Sequence, residues 1–195
     1  MKWIGFILLF GYSQLSFATC KVYLLTWGST QTYTGAGHSS IAFKDSLGIH
    51  YFSHYPKDVG SIDTVLSSMD DLLSLDSLKG IQTESAHLVL EFYVSQKEFR
   101  KMKKVAKRNA KKSWTLFNLN CSDFVKRSFR KSKFDLGYAF LISTPYELVS
   151  DLRDHNADSF HNGKVQTIKV VIHPYLINQP RTVPYALKRF FLGRK

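Results

Sequence analysis

The sequence predicts one α+β domain with a mainly antiparallel sheet packed on helices. Segments rich in β-branched and aromatic residues alternate with Gly-containing turns, which is typical of antiparallel strands. Other segments carry apolar residues every three or four positions and begin at capping residues, which is typical of amphipathic helices. Of the 195 residues, 44% are hydrophobic, which is enough for a core and argues against a disordered chain.

Residues 1–18 have the pattern of a secretory signal. Lys2 is followed by the apolar segment "WIGFILLFGY", which is too short to span a bilayer. Ser16 and Ala18 are small residues at positions −3 and −1 of a cleavage site. We therefore expect cleavage after Ala18, leaving one domain, 19–195, secreted or in the periplasm. The alternatives are an uncleaved anchor and a lipoprotein acylated at Cys20.

Strands are predicted from β-branched and aromatic composition bounded by turn signals. "HSSIAF" and "IHYFSHY" flank the turn "KDSLG", which predicts a hairpin. "AHLVLEFYV" is apolar enough for a central strand. The full set of predicted strands is Lys21–Gly28, His38–Phe43, Ile49–Tyr55, Ala86–Val94 and Val165–His173.

Helices are predicted from apolar spacing and from capping residues. The stretch 61–80 has apolar residues at helical spacing, from Ile62 to Leu73. Ser95 and Glu98 form a capping-box pattern before a basic helix, and Thr144 and Glu147 repeat it before a helix that ends near Arg153. The basic, aromatic tail "YALKRFFLGRK" is predicted to be a packed terminus, with a short interfacial helix as the alternative.

The chain is strongly basic, with a formal net charge of +12. Nine Lys and Arg residues lie between Lys97 and Lys112, against the single acid Glu98. Such a run is either a solvated helix face or a docking surface for an anionic envelope component, a cell-wall polymer or a phospholipid surface. Nucleic acid is not favoured, because the run lacks interleaved aromatic residues and the chain is predicted to be exported.

Cys121 is the candidate nucleophile. Asn120 is a good N-cap, which would place Cys121 at the first position of a helix. There the helix dipole lowers a thiol pKa, and free backbone N–H groups can stabilise an oxyanion. The alternatives are a buried free thiol and a disulfide with Cys20, the other cysteine of the chain.

His38 is the candidate general base. It begins a strand after "TGAG", whose small residues leave its side chain accessible, and it shares one strand face with Ser40 and Ala42. A catalytic histidine needs a partner for its second ring nitrogen. Hairpin pairing favours His54 for this role and leaves His50 as the alternative.

The order "GHSSIAF", "HYFSHYP" and "NCSDFV" resembles the circularly permuted branch of the NlpC-type papain-like cysteine hydrolases, which includes lecithin–retinol acyltransferase-like proteins. The resemblance covers about half of the chain and implies a papain-like fold with the nucleophile at a helix N-terminus. It implies that Cys121 attacks a carbonyl, His38 moves the proton and His54 orients His38. The expected function is an exported thiol amidase or peptidase, with cell-wall peptides as the expected substrate.

Two alternative functions stay open: a lipid acyl hydrolase or acyltransferase at a membrane surface, and a non-catalytic anion-binding envelope protein. No cofactor is expected. No metal site is expected either, because His38, His50 and His54 lack the helical spacing of zinc ligands and no CxxC occurs.

Overall fold

The computed structural model describes residues 19–27, 37–56, 60–75, 85–137 and 142–171. The predicted signal segment and the basic tail lie outside these ranges. Within them the chain forms an α+β domain with a six-stranded antiparallel sheet and five helices. The strands are β1 (Thr19–Trp27), β2 (His38–Asp45), β3 (Gly48–His54), β4 (Ser61–Leu66), β5 (Leu88–Ser95) and β6 (Val165–Val170). The helices are α1 (Met69–Leu73), α2 (Gln96–Asn109), α3 (Cys121–Phe129), α4 (Pro145–His155) and α5 (Ala157–His161).

The strand order across the sheet is β4-β3-β2-β1-β5-β6, and every neighbouring pair is antiparallel. The predicted hairpin of β2 and β3 is confirmed, with Phe43 opposite His50 and Ser40 opposite Ser53. Strand β1, which lies between β2 and β5, is among the most completely buried parts of the fold. Long side chains on both of its faces therefore enter hydrophobic cores.

The two faces of the sheet carry two separate cores. One core joins Ile41 and Phe52 of the sheet to apolar residues of α2, α3 and α4, including Phe99, Phe124 and Leu152. The other core is rich in tyrosine and packs the opposite sheet face against α1. Because side chains alternate along a strand, each residue of β2 and β3 belongs to one face only.

The predicted helix over 61–80 is wrong in its first part. Ser61–Leu66 is the edge strand β4, paired with β3 from Ile49 opposite Leu66 to His54 opposite Ser61. Over so short a stretch the apolar spacing is compatible with a helix and with a strand. Hydrogen bonding to β3 makes this segment a strand. A helix begins only at Met69, where Ser68 and Asp71 form a capping box. Residues 76–80 lie outside the described ranges.

The other predicted helices occur where their caps indicated. Ser95 and Glu98 form the capping box of α2, and Thr144 and Glu147 form that of α4. Helix α5 was not predicted, because its five residues are too few for apolar periodicity to show. Within the described ranges, no helix is long and apolar enough to cross a membrane.

Candidate functional site

The start of α3 is fixed by a dense set of hydrogen bonds around Asn120. Its Oδ1 accepts from the backbone N–H groups of Ser122 and Asp123, both at 2.9 Å. Its Nδ2 donates to the carbonyl oxygens of Leu116 at 3.1 Å and Ser143 at 3.0 Å. Asn120 is itself buried. The helix therefore begins at Cys121, as the sequence predicts, and its position relative to two neighbouring loop segments is set.

The Cys121 thiol sits in a crowded but not closed environment. The residue keeps part of its surface exposed, and its Sγ lies 4.0 Å from Ser122 Oγ. Burial of the sulfur raises the pKa of Cys121, while hydrogen bonds from the Ser39 backbone and from Ser122 act in the opposite direction. Since burial is the largest of these effects, the thiol is protonated at neutral pH.

The first turn of α3 rests on the beginning of β2. Ser122 Oγ lies 3.3 Å from Ser39 Oγ, and both side chains are fully buried. The Ser39 backbone also reaches the Cys121 sulfur. Cys121 therefore lies over the face of β2 that carries the Ser39 side chain, and this is the face that packs against the helices.

His38 lies on the opposite face of β2. Its ring stacks on Tyr55 with centroids 4.2 Å apart and planes 6° apart, and it contacts Trp27 at 5.6 Å. Its Nε2 lies 2.6 Å from Ser53 Oγ. Tyr55 and Trp27 belong to the tyrosine-rich core, although Tyr55 is still close enough to feel the charge of Cys121. Ser53, rather than His54, is thus the hydrogen-bond partner of the His38 ring.

The surroundings of His38 keep its imidazole neutral. Burial, assisted by the nearby His54, lowers the pKa of His38 from 6.5 to about 3. No hydrogen bond joins His38 to Cys121 among the residues that the structure describes. Strand pairing decides which residue lies opposite His38. The register of the hairpin selects Tyr55, which places His54 on the other face.

His54 lies on the same sheet face as α3. Its ring stacks on Phe124, one helical turn beyond Cys121, with centroids 5.3 Å apart. Its Nδ1 lies 2.6 Å from Oγ of Ser61, the residue opposite it on β4. Burial lowers the pKa of His54, and the Leu119 backbone partly opposes this change. The buried Nε2 makes no hydrogen bond of standard geometry with a described residue, although the Leu119 backbone is close enough to the ring to affect its pKa.

The alternative orienting residue, His50, lies at the far end of β3. It faces Phe43, and its Nε2 is 3.3 Å from Asp45 Oδ1 near the hairpin turn. Four residues separate it from His54 along the strand, which is about 13 Å. The structure therefore groups Cys121 and His54 on one face, His38 behind the sheet and His50 at the other end of the hairpin.

Two serines that sequence analysis did not single out hold the histidine rings. Ser53 binds His38, and Ser61 binds His54. The alternation of the hairpin places Ser53 beside His38, so its signal was present in the sequence. The contact of Ser61 with His54 could not be predicted, because the stretch that contains Ser61 was predicted to be helical. No hydrogen bond links the Cys121 thiol to either histidine within the described part of the chain.

The second cysteine is remote from this group. Cys20 lies on β1 opposite Val94, and its thiol donates to Gln96 Oε1 at the start of α2. Both thiols are free. Across the described residues, no three His, Cys, Asp or Glu side chains are grouped so as to hold a metal ion.

Comparisons with known proteins add no relative. No protein-family model matches the chain, no curated protein matches it, and no solved structure matches it.

Proposed function

We propose that this chain is a cysteine-dependent hydrolase of the permuted papain-like type, in which Cys121 attacks a carbonyl carbon and forms an acyl-thioester. Support comes from the capped helix start at Cys121, the partial exposure of that residue and the backbone N–H groups around its sulfur. Such N–H groups at a helix N-terminus are suited to stabilise an oxyanion. Export of the mature domain, 19–195, is part of the same proposal.

One observation carries the assignment of the base. His54 has one ring nitrogen held by Ser61 at 2.6 Å, and its buried Nε2 makes no hydrogen bond of standard geometry with a described residue, with the Leu119 backbone beside the ring. A general base in a thiol enzyme needs one nitrogen fixed and the other free to take the proton. His54 also shares the sheet face of Cys121, whereas His38 is bound to Ser53 behind the sheet. We therefore assign His54 as the base, Ser61 as the residue that positions it, and His38 as a structural residue.

The pKa shifts define how this pair would work. Burial raises the pKa of Cys121 and lowers that of His54, so both groups are neutral near pH 7. The thiol proton then moves to His54 Nε2 as the sulfur attacks the carbonyl carbon, and no thiolate–imidazolium ion pair forms before the attack. The tetrahedral intermediate collapses, the leaving group takes that proton, and water activated by His54 hydrolyses the thioester.

The test is acylation of Cys121 by p-nitrophenyl acetate, followed by intact-protein mass. Cys20→Ser is the background, since it removes the other thiol. We expect one acetyl group on Cys121 and a rate about 100-fold lower in His54→Gln, which is the usual size of a lost general base. His161→Gln, which changes an exposed histidine on α5, is the matched control. An unchanged rate in His54→Gln would remove His54 from the mechanism.

The substrate class that we propose is a peptide or amide of the cell envelope, in keeping with export and the net charge of +12. Incubation with peptidoglycan fragments and, separately, with phospholipid vesicles distinguishes this substrate from a lipid acyl ester. Release of a peptide or amino acid that Cys121→Ser abolishes supports the amidase. Release of a fatty acid supports the lipid acyl hydrolase instead.

A non-catalytic binding protein is the second candidate. It is favoured by the raised pKa of the Cys121 thiol and by the lack of a hydrogen bond from that thiol to a histidine in the described residues. This candidate predicts that Cys121→Ser binds the anionic partner as well as the parent and that p-nitrophenyl acetate leaves Cys121 unmodified.

A further inference from the structure

A groove lies between helix α2 and the turn of the β2–β3 hairpin, away from the candidate active site. It has a volume of about 520 Å³, and Phe99 lies at its base. One wall is formed by the cationic residues of α2, and the other by Asp45, Ser46 and Leu47 of the turn. Ser39 and Asp45 are six residues apart on β2, so the groove is about 20 Å from the Cys121 end of that strand.

The charge in the groove is strongly one-sided. Asp45 is the single acid among the described residues that line it. Four cations line it as well: Arg100, Lys103, Lys104 and Lys107. Asp45 is already neutralised, because its carboxylate lies 2.8 Å from Lys103 Nζ. The other three cations make no ion pair with any residue that the structure describes. Three positive charges therefore face the groove with no compensating carboxylate in the described part of the chain.

The three uncompensated cations form a row. Arg100, Lys104 and Lys107 are spaced four and three residues apart, so they follow one side of the helix. The rise of an α-helix puts the first and last about 10 Å apart along the axis. All three are exposed at the surface. A row of charges in a concave groove complements a linear chain of anions better than a single small anion.

The turn adds a further feature of a binding groove. Leu47 is 78% exposed, the most exposed large hydrophobic residue of the described chain, and it stands on the groove wall opposite the cations. The turn is held in place by the Leu47 backbone N–H, which donates to Asp45 Oδ1 at 2.9 Å. The same carboxylate group binds Lys103, so the two walls are joined. The groove is therefore preformed, which reduces the ordering cost of binding.

We propose that this groove binds a linear polyanion with closely spaced phosphate groups, such as a phosphate-linked envelope polymer. The cations of α2 contact successive phosphates, and Leu47 packs against the polymer backbone between them. The site would hold the protein on the polymer and is separate from Cys121. The proposal therefore does not depend on whether the chain is a hydrolase.

The test uses inorganic polyphosphate of long chain length as the probe and the full chain with Cys121→Ser. Binding is measured by calorimetry over a series of salt concentrations. The groove variant carries Arg100→Gln, Lys104→Gln and Lys107→Gln. By analogy with single-stranded nucleic acid, each lost phosphate contact makes the slope of log K against log salt less negative by about 0.7. The loss of three contacts should therefore lower the affinity for polyphosphate about 100-fold at 0.1 M salt.

A matched control removes the same charge from the neighbouring side of α2. Lys97, Lys101 and Arg108 are also exposed but do not line the groove, so their replacement by Gln tests for a specific face. We expect the control to lose clearly less affinity than the groove variant. Equal losses in the two triple variants would overturn the proposal, because they would show a diffuse charge effect.

Two further probes identify the ligand. Orthophosphate should bind far more weakly than polyphosphate, and equal affinity per phosphate would overturn the linear-chain proposal. Phosphatidylglycerol vesicles test a membrane as the occupant. The proposal fails if binding to the vesicles depends on the three groove cations and polyphosphate does not compete with that binding. The surface would then be a membrane-binding site.

Cys20 supplies a local reporter in the same protein. Its thiol binds Gln96, which lines the groove. Burial raises the pKa of Cys20, and the nearby charge of Arg100 partly opposes that rise. A bound polyanion would oppose that charge, so alkylation of Cys20 should slow about threefold when polyphosphate is present. If polyphosphate binds tightly but the rate of Cys20 alkylation does not change, the polyphosphate is bound outside the groove. That result would also overturn the proposal.

Discussion

The burial of His38 predicts a specific loss of stability in mild acid. The ring is 3% exposed, stacked on Tyr55, and its pKa lies at about 3 instead of 6.5. Between pH 6.5 and about 3, His38 is therefore protonated in the unfolded chain and neutral in the folded chain. A depressed folded-state pKa means that stability is complete above pH 6.5 and falls as the pH falls through 6.5 toward 3.

The size of the effect follows from proton linkage. Each pH unit below the unfolded pKa costs about 1.4 kcal/mol, so the two units from pH 6.5 to 4.5 cost about 3 kcal/mol. This figure holds as long as the folded pKa of His38 stays well below 4.5. Glutamine cannot titrate, so His38→Gln should lack this part of the pH dependence although it is less stable at neutral pH.

The assay is urea unfolding of the parent and of His38→Gln at several pH values from 7.5 to 4.5. We expect the stability difference between the two proteins to narrow by about 3 kcal/mol over this range. His54, whose pKa is also lowered by burial, is present in both and largely cancels. Parallel curves for the parent and His38→Gln would refute a buried neutral imidazole.

Three further substitutions test the packing around the candidate site, each by urea unfolding at pH 7. Asn120→Ala should cost about 2–3 kcal/mol, because it removes the α3 cap and leaves two carbonyls without their donor; a loss below 0.5 would contradict this role. Phe124→Ala should cost about 3–5 kcal/mol through the cavity beside His54, and a value under 1 would mean that the ring is not packed there. Lys126→Met should cost about 3–5 kcal/mol, because it removes the ammonium that lies 3.2 Å from the buried Asp151 carboxylate. Adding Asp151→Leu should recover most of the loss, and no recovery would show that this ion pair is not the cause.

Local chemistry made much of the architecture predictable from the sequence. The starts of α2, α3 and α4 follow from Ser95, Asn120 and Thr144, because a cap acts on backbone groups only two or three residues away. The β2–β3 hairpin follows from two β-rich segments around a short turn. The edge strand β4 was missed, because six residues carry too little periodicity and its hydrogen bonds go to another segment.

The candidate site was predictable in part. The sequence could name Cys121, His38 and His54, since the helix start and the hairpin are both local features. It could not decide which histidine shares a face with the thiol, because a shift of one residue in strand pairing exchanges the two faces. That choice depends on the pairing of Ser40 with Ser53 and on the packing of Phe124 against His54.

The sequence by itself determined an α+β domain, a capped helix that begins at Cys121, and a highly basic helix, because each depends on neighbours a few residues away in the chain. Only the tertiary structure decided that Ser61 holds His54, that Ser53 holds His38 behind the sheet, and that Asp45 joins the hairpin turn to α2. These contacts join residues up to 58 positions apart. Strand register and helix packing set them, and both are properties of the whole fold.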